Sequence, residues 1–418
     1  MKYFQQLGRD IEREWKARDF AHSCFASIAA TALERHPPSS AVSSRELLDD
    51  LFKDRELPRQ NESTFGDLPI VVFQAADFYI EVLFWLDSTT AVHEHGFQGA
   101  FHVMEGSSLH TRFHFEEQQR LGDRVLLGDL RSQRLELLRT GAVVPIQPGC
   151  DFIHSLFHLA RPSVSVVVRT RFDVNRVTQL TYLRDVGIAF DPFYRNSTIE
   201  LRCRALQFRL QSGEPQALNH CADLIRRADS FEALRYLMVL AEQLEPTALA
   251  EFCQGLGDAH PELVRRSDRM AKAIARERFM RRRRSQISDP DHRFLLALLL
   301  NANDRQDCLA VTEAAYPGQG AASLLLRWVQ TLADMPSFSH QSISMLGARI
   351  DEPALAVLRE MLEHESEEAV LQALGREYSE QDIERERPNI LRLCQALRES
   401  VILAPLVRSR AEASWPRA

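Results

Sequence analysis

The 418-residue chain has no apolar run long enough to cross a bilayer: its longest, Phe294–Leu300, falls far short of the roughly 18–20 residues required. No secretory leader is expected, because Arg9, Asp10, Glu12, Arg13, Glu14 and Lys16 occupy the region where its apolar stretch would stand. These absences predict a cytoplasmic protein with no membrane partner. The seven cysteines (24, 150, 203, 221, 253, 308, 394) are odd in number, scattered, and form no CxxC pair. That argues against a disulfide framework or a thiolate zinc site and predicts reduced core thiols. Only four lysines occur, Lys2, Lys16, Lys53 and Lys272, and the net charge is −7 from 51 basic and 58 acidic residues. Nucleic-acid binding depends on cationic surface, so mild acidity argues against nucleic acid as the main partner. The local run Arg281–Arg284 is the exception, and it reads as the solvated end of a helix, where cations are favourable.

What is present is a folding composition, 45% hydrophobic and 26% charged. At roughly 100–200 residues per domain, the length suits two or three domains. Residues 1–35 show helical spacing in Phe4, Leu7, Ile11 and Trp15, broken at His36-Pro-Pro. A short helix is expected from Ser43 to Phe52. From about 66 to 200 the period shortens. Leu68–Phe73, Tyr79–Trp85, Leu135–Leu138, Ala142–Ile146 and Val164–Arg169 are short, β-branched or aromatic segments between turn residues, which suits a β barrel or sandwich. Beyond 200 the helical period returns. Asp229-Ser230 and Asp289-Pro290 open helices, and further ones carry Leu355, Leu358 and Leu362, then Ile390, Leu393, Leu397 and Val401. The expected division is a helical segment 1–62, a β domain 63–200 and a helical domain 201–418.

Seven of the fourteen histidines lie in the β zone, at 93, 95, 102, 110, 114, 154 and 158. Alternate residues of a strand share a face, so His93 and His95 project together while Glu94 points away. Two imidazoles at that pitch can hold one metal ion, with a third ligand from a neighbouring strand. His154 is the candidate and His158 the fallback. His110 and His114 share a face with Arg112 and read as a polar outer face. His102 is expected to point out of the barrel if Phe101 and Val103 point in, and Cys150 reads as a small buried thiol.

On these residues the chain resembles the cupin superfamily over about residues 66–175. The first cupin motif runs HxH, three or four residues, Glu, six residues, Gly. Here His93-x-His95 is followed after three residues by Gly99 and after six more by Gly106, so glycine stands where the carboxylate ligand would be. Pro148-Gly149 leading to His154 resembles the second motif, with a slightly longer gap. Loss of the glutamate with three histidines kept is similar to the cysteine-dioxygenase-like cupins, which bind one non-haem Fe(II). The fold so implied is α+β and multi-domain: N-terminal helices, a cupin double-stranded β-helix, and a large all-α C-terminal domain.

This chain departs from that subfamily at the pair of catalytic residues on the strand after the third ligand, where Val167 and Arg169 stand. The family's cysteine–tyrosine crosslink is also ruled out, because Gly99 takes the cysteine's place. An inward Arg169 would suit an anionic substrate group through bidentate hydrogen bonds, with Phe101 and Val103 lining an apolar wall. Three neutral histidines leave a metal dipositive with open positions, a setting for O2 and a substrate on Fe(II). The same ligands also hold zinc, nickel or manganese for isomerase, lyase or hydrolase chemistry. The expectation is thus an iron oxygenase or dioxygenase using His93, His95, His154 and Arg169, with O2 and a small, carrier-bound or peptide-bound substrate. A ligand-binding scaffold without activity is a further alternative. The helical domain would serve as a lid, as a homodimer interface or in recognition of a bulkier substrate.

Overall fold

The strand Phe78–Trp85 shows how the β domain is organised, because its alternate residues go to two different cores. In this computed structural model residues 2–53, 57–61, 65–87, 89–171, 179–335, 346 and 350–410 are described. Residues 172–175 of the cupin-like stretch, and Ser88, lie outside them. The described chain divides into two compact units, Met1–Ser108 with Arg112–Gln133 and Leu138–Arg278, and Leu109–Thr111 with Arg134–Leu137 and Phe279–Ala418.

The first unit begins with helices α1 (Lys2–Lys16), α2 (His22–Arg35), α3 (Pro38–Ala41) and α4 (Ser44–Asp50). Among the described residues the strands that follow are β1 (Leu68–Gln74), β2 (Phe78–Trp85), β3 (Val92–His93), β4 (Gly99–Glu105), β5 (Ser107–Arg120), β6 (Val125–Arg139), β7 (Val143–Ile146), β8 (Ile153–His158), β9 (Ser163–Thr170), β10 (Thr181–Leu183) and β11 (Ile188–Phe190). They form a five-stranded sheet in the order β1-β2-β9-β4-β7 and a closed six-stranded barrel in the order β10-β11-β6-β5-β8-β3.

Period-two alternation sorts the five-stranded sheet. Phe78, Ile80, Val82 and Phe84 of β2 join Val164, Val166 and Val168 of β9 in one core, closed by Phe4, Leu7, Ile11 and Trp15 of α1 and Phe25 and Ile28 of α2. The spacing of the α1 residues puts them on one helix face, and each fully buried side chain contributes about 1.5–3 kcal/mol. The Trp15 indole N–H donates to the Ala21 carbonyl at 2.9 Å, which satisfies its one polar atom and folds the α1–α2 connection back. The opposite sheet face carries Leu83 and Trp85 of β2, Phe101 and Val103 of β4, and Val167 of β9 in a second core.

Helices α5 (Ser197–Gln211), α6 (Ala217–Arg227), α7 (Ser230–Gln243), α8 (Pro246–Gln254), α9 (Pro261–Val264) and α10 (Ser267–Gln286) come next. Ile199, Cys203 and Leu206 of α5 and Leu234 and Leu237 of α7 pack with Val125 and Leu127 of β6 and Ile188 of β11. Residue 201 falls inside α5, whose buried residues join the barrel core. Asn196 and Asp229 cap α5 and α7 by accepting from backbone N–H groups.

The second unit holds α11 (Pro290–Asn301), α12 (Arg305–Ala315), α13 (Ala321–Asp334), α14 (Glu352–Glu363), α15 (Glu367–Leu374) and α16 (Glu380–Glu399). Asp289 caps α11 through the His292 N–H, with Pro290 at the first position. The apolar run of α11 is core, and Phe294, Tyr316 and Trp328 pack edge to face. The expected helix through Val401 stops at Glu399.

Several expectations need correction. Arg281 and Arg282 are exposed, but Arg283 and Arg284 are each only 3% exposed. Four successive helical residues point around the whole circumference, so two face the packed side. Cys150 is exposed, because it sits on the 3-10 turn Gly149–Phe152 and not inside a strand. His110 is fully buried, its Nδ1 3.1 Å from a Glu136 oxygen, while His114 is exposed. The long β5 and β6 were invisible as a pair because residues 114–120 are largely charged or polar and solvent-facing. Among the described residues no helix is long and apolar enough to cross a membrane.

His102 does face away from Phe101 and Val103, and it is buried there, its Nε2 accepting the Ser39 N–H at 3.3 Å. Burial lowers its pKa from 6.5 to about 4. Between those values the unfolded chain binds the extra proton, so this contribution to stability is complete above about pH 6.5 and is lost as pH falls towards 4. Urea unfolding of metal-free protein at pH 7, 5.5 and 4.5 should show a smaller acid loss in His102→Leu than in the wild type. Equal losses would remove His102 as the cause.

Candidate metal centre

Strand pairing builds the centre. His93 ends β3 and lies directly opposite His154 of β8 in the antiparallel register. His95 follows two residues later. The turn before β8 is tied to it, since the Gly149 N–H donates to the His95 carbonyl at 2.8 Å. Gly149 has φ +68°, a conformation that favours glycine. The 3-10 turn after it accounts for the longer gap between Pro148-Gly149 and His154.

The three histidines are buried, and one ligand nitrogen from each lies within 4.8 Å of the others. His95 Nε2 and His154 Nε2 are 2.9 Å apart. Two imidazole nitrogens each about 2.1 Å from one cation, at right angles, would be separated by about 3 Å. His93 Nδ1 is 2.8 Å from the Ala91 carbonyl. A carbonyl only accepts, so Nδ1 carries the proton and the lone pair sits at Nε2, the orientation a ligand histidine needs. The His95 pKa lies well below its usual value, chiefly through burial and secondarily through His93 and Arg169. A neutral imidazole is the metal-binding form, so the residues fit a divalent cation.

His158 does not join them. Its ring stacks on Trp85 with centroids 4.4 Å apart, and its Nδ1 lies 3.0 Å from Ser108 Oγ and 3.2 Å from Ser163 Oγ. Glu94 points away from the triad, as the alternation requires. It accepts the Leu180 N–H at 3.2 Å and the Tyr182 hydroxyl at 2.5 Å, which locks β10 to β3.

The frame's carboxylate position is closed sterically. A Cβ on Gly99 would lie 1.9 Å from the Val168 carbonyl oxygen and 2.9 Å from the Arg169 Cα. Glycine is required here because β4 and β9 approach too closely for any side chain.

A cavity of about 430 Å³, counting its open mouth, adjoins the histidines between the two sheets. His93, His95, His154, Phe97, Phe101 and Arg169 are among its lining. Phe101 and Arg169 line this cavity, and Val167 and Ser165 line it from β9. Val103 does not line it. It packs in one core with Leu83 and Trp85, which line the cavity themselves.

The Arg169 guanidinium lies 3.5 Å above the Phe97 ring and 3.3 Å from a carboxylate oxygen of Glu81. Glu81 also lines the cavity, is 2% exposed, and was missed by the sequence reading. The signal was there: an acid in the apolar segment Tyr79–Trp85, on the same face as Leu83 and Trp85. Burial raises its pKa and Arg169 opposes that rise.

A closed β-barrel beside a five-stranded sheet, with a buried three-histidine cluster, is thereby defined. No family model matches the chain, and no curated protein matches it. Among solved structures the chain is similar to a double-stranded β-helix protein from Klebsiella pneumoniae (18% identity, 27% of this chain, 84% of that one, TM-score 0.18). It is likewise similar to hydroquinone 1,2-dioxygenase from Sphingomonas sp. TTNP3 (12% identity, 26% of this chain, 68% of that one, TM-score 0.20). A third similarity is to a chain from crystal structures of DMSP lyases (14% identity, 43% of this chain, 96% of that one, TM-score 0.24).

Two outcomes follow from this geometry. Elemental analysis of tag-free protein should find one divalent metal ion per chain, absent from His93→Ala and His154→Ala and retained in His158→Ala. Gly99→Ala should destabilise the fold by about 3 kcal/mol, read as a lowered Tm, because backbone must move to admit the methyl group.

Proposed function

We propose that this chain is a mononuclear non-haem iron oxygenase acting on a small anionic substrate, or on the anionic head of a carrier-bound or peptide-bound one. The observation that carries this reading is a buried three-histidine cluster and a guanidinium lining one cavity. Fe(II) held by three neutral imidazoles would supply O2-dependent oxidation, with open positions for dioxygen and substrate.

The chain's own residues do the rest. Hydrogen bonding to Ala91 holds His93 with its Nε2 lone pair available, and burial keeps His95 neutral. Arg169 anchors the anionic group, its face covered by Phe97. Phe65, Phe97, Phe101, Ile146 and Leu156 line the cavity with apolar surface. They exclude water and strengthen every charged contact inside. Arg169 touches the substrate and orients it, while the closed Gly99 position keeps a fourth protein ligand off the metal.

The test is oxygen uptake by tag-free protein loaded anaerobically with Fe(II), measured with an electrode against a panel of small carboxylic acids. Uptake should depend on both iron and substrate and vanish in His154→Ala. In Arg169→Gln the KM should rise about tenfold, the worth of a buried charge-assisted hydrogen bond. Stoichiometric zinc, nickel or manganese with no oxygen uptake under any loading would replace this reading with a non-oxidative isomerase, lyase or hydrolase.

A further inference from the structure

Glu81 and Arg169 sit on adjacent antiparallel strands, with Tyr79 opposite Arg169 and Glu81 opposite Val167. Both side chains line the cavity. Their contact is a single one, Arg169 Nη1 donating to Glu81 Oε1 at 3.3 Å. One face of the guanidinium is covered by the Phe97 ring. Its Nε is buried and has no hydrogen-bond partner among the described residues. The guanidinium is therefore held at one nitrogen and by two rings, Phe97 and, at 5.4 Å, Tyr79, while its Nε N–H remains to be satisfied. An Nε edge offers two parallel N–H groups, the fork that fits a planar carboxylate.

A second property follows from charge. Glu81 is 2% exposed, so its charge is poorly screened at the distance of a ligand on the other side of Arg169. A monoanion on the fork shares the guanidinium with one carboxylate. A dianion adds a second unit of repulsion in the same low-dielectric space.

We propose that Glu81 is a positioning and specificity residue, which holds the guanidinium of Arg169 at the cavity wall and restricts that subsite to planar monoanionic carboxylates over phosphate dianions. This rests on the reading that Arg169 anchors the anionic group of the substrate, and it names that group. Glu81 acts through Arg169 and touches no reacting atom.

Binding, without turnover, tests it. Benzoate and phenyl phosphate share an apolar ring and differ in the head group. Each is titrated into the full-length protein at pH 8, with the fluorescence of Trp85, which lines the cavity, as the reporter and Trp85→Phe as the control. Wild type should bind benzoate about tenfold more tightly than phenyl phosphate, a preference on the scale of one charged contact. Glu81→Gln keeps the shape and a hydrogen-bond acceptor but not the charge, and it should narrow that ratio severalfold. An unchanged ratio in folded Glu81→Gln, or no preference in the wild type, overturns the proposal while leaving Arg169 as an anchor. Benzoate binding that survives Arg169→Gln overturns the anchor and this proposal with it. So does the absence of binding by both probes. If Glu81→Gln fails to melt cooperatively, Arg169→Lys carries the test: a cation without a fork should lose the benzoate preference, and a retained preference overturns the proposal. Oxygen uptake enters none of these outcomes, so a failed oxygenase assay leaves them intact.

Discussion

The burial of one face of the five-stranded sheet against α1 and α2 is the constraint on which the site depends. Phe78, Ile80, Val82 and Phe84, with Val164, Val166 and Val168, are committed to that core. Because a strand has only two faces, the intervening residues have no choice of direction. Glu81, Trp85, Ser165, Val167 and Arg169 are sent into the cavity by what their neighbours bury. A one-residue slip of β2 or β9 would exchange the two sets and place valines where the charged pair stands.

The cavity is a low-dielectric space, and that explains its polar contents. A cationic imidazole would be costly there, and the pKa of His95 is depressed accordingly. A guanidinium cannot give up its proton, so Arg169 is instead accompanied by Glu81 and covered by Phe97. Breaking such a pair leaves a buried charge uncompensated, which costs more than the pair itself contributes. Gly99 belongs to the same economy of space. The close approach of β4 and β9 that places Phe101 and Arg169 in one cavity is what removes the fourth ligand position.

Much of this was legible one-dimensionally. Residues His93 and His95 share a face by period alone, and Pro148-Gly149 marks the turn that precedes His154. The apolar stripe of α1 and the capping residues of α7 and α11 are local signals, readable without a partner. Other features were not. The strands β5 and β6 extend into solvent with charged side chains that mask the alternation. Cys150, Arg283 and Arg284 have burials set by a 3-10 turn and a packed helix face, which composition does not encode. Val103 and Phe101 look alike in sequence and share one core, and only the folded sheet brings Phe101 and not Val103 to the cavity wall.

The sequence by itself determined which chemistry is available: three histidines at metal-binding spacing, a glycine in the carboxylate's place, and an arginine two residues from Val167 in an apolar strand. Tertiary structure decided which of them meet. His154 and not His158 joins the triad because strand register sets it opposite His93, while His158 is drawn to Trp85 and the serines at 108 and 163. Glu81 lies 88 residues from Arg169 and becomes its partner only through the β2–β9 ladder. Spacing along a chain records which side chains share a strand face. Contacts between strands depend on register, and register is settled by the burial of the whole sheet.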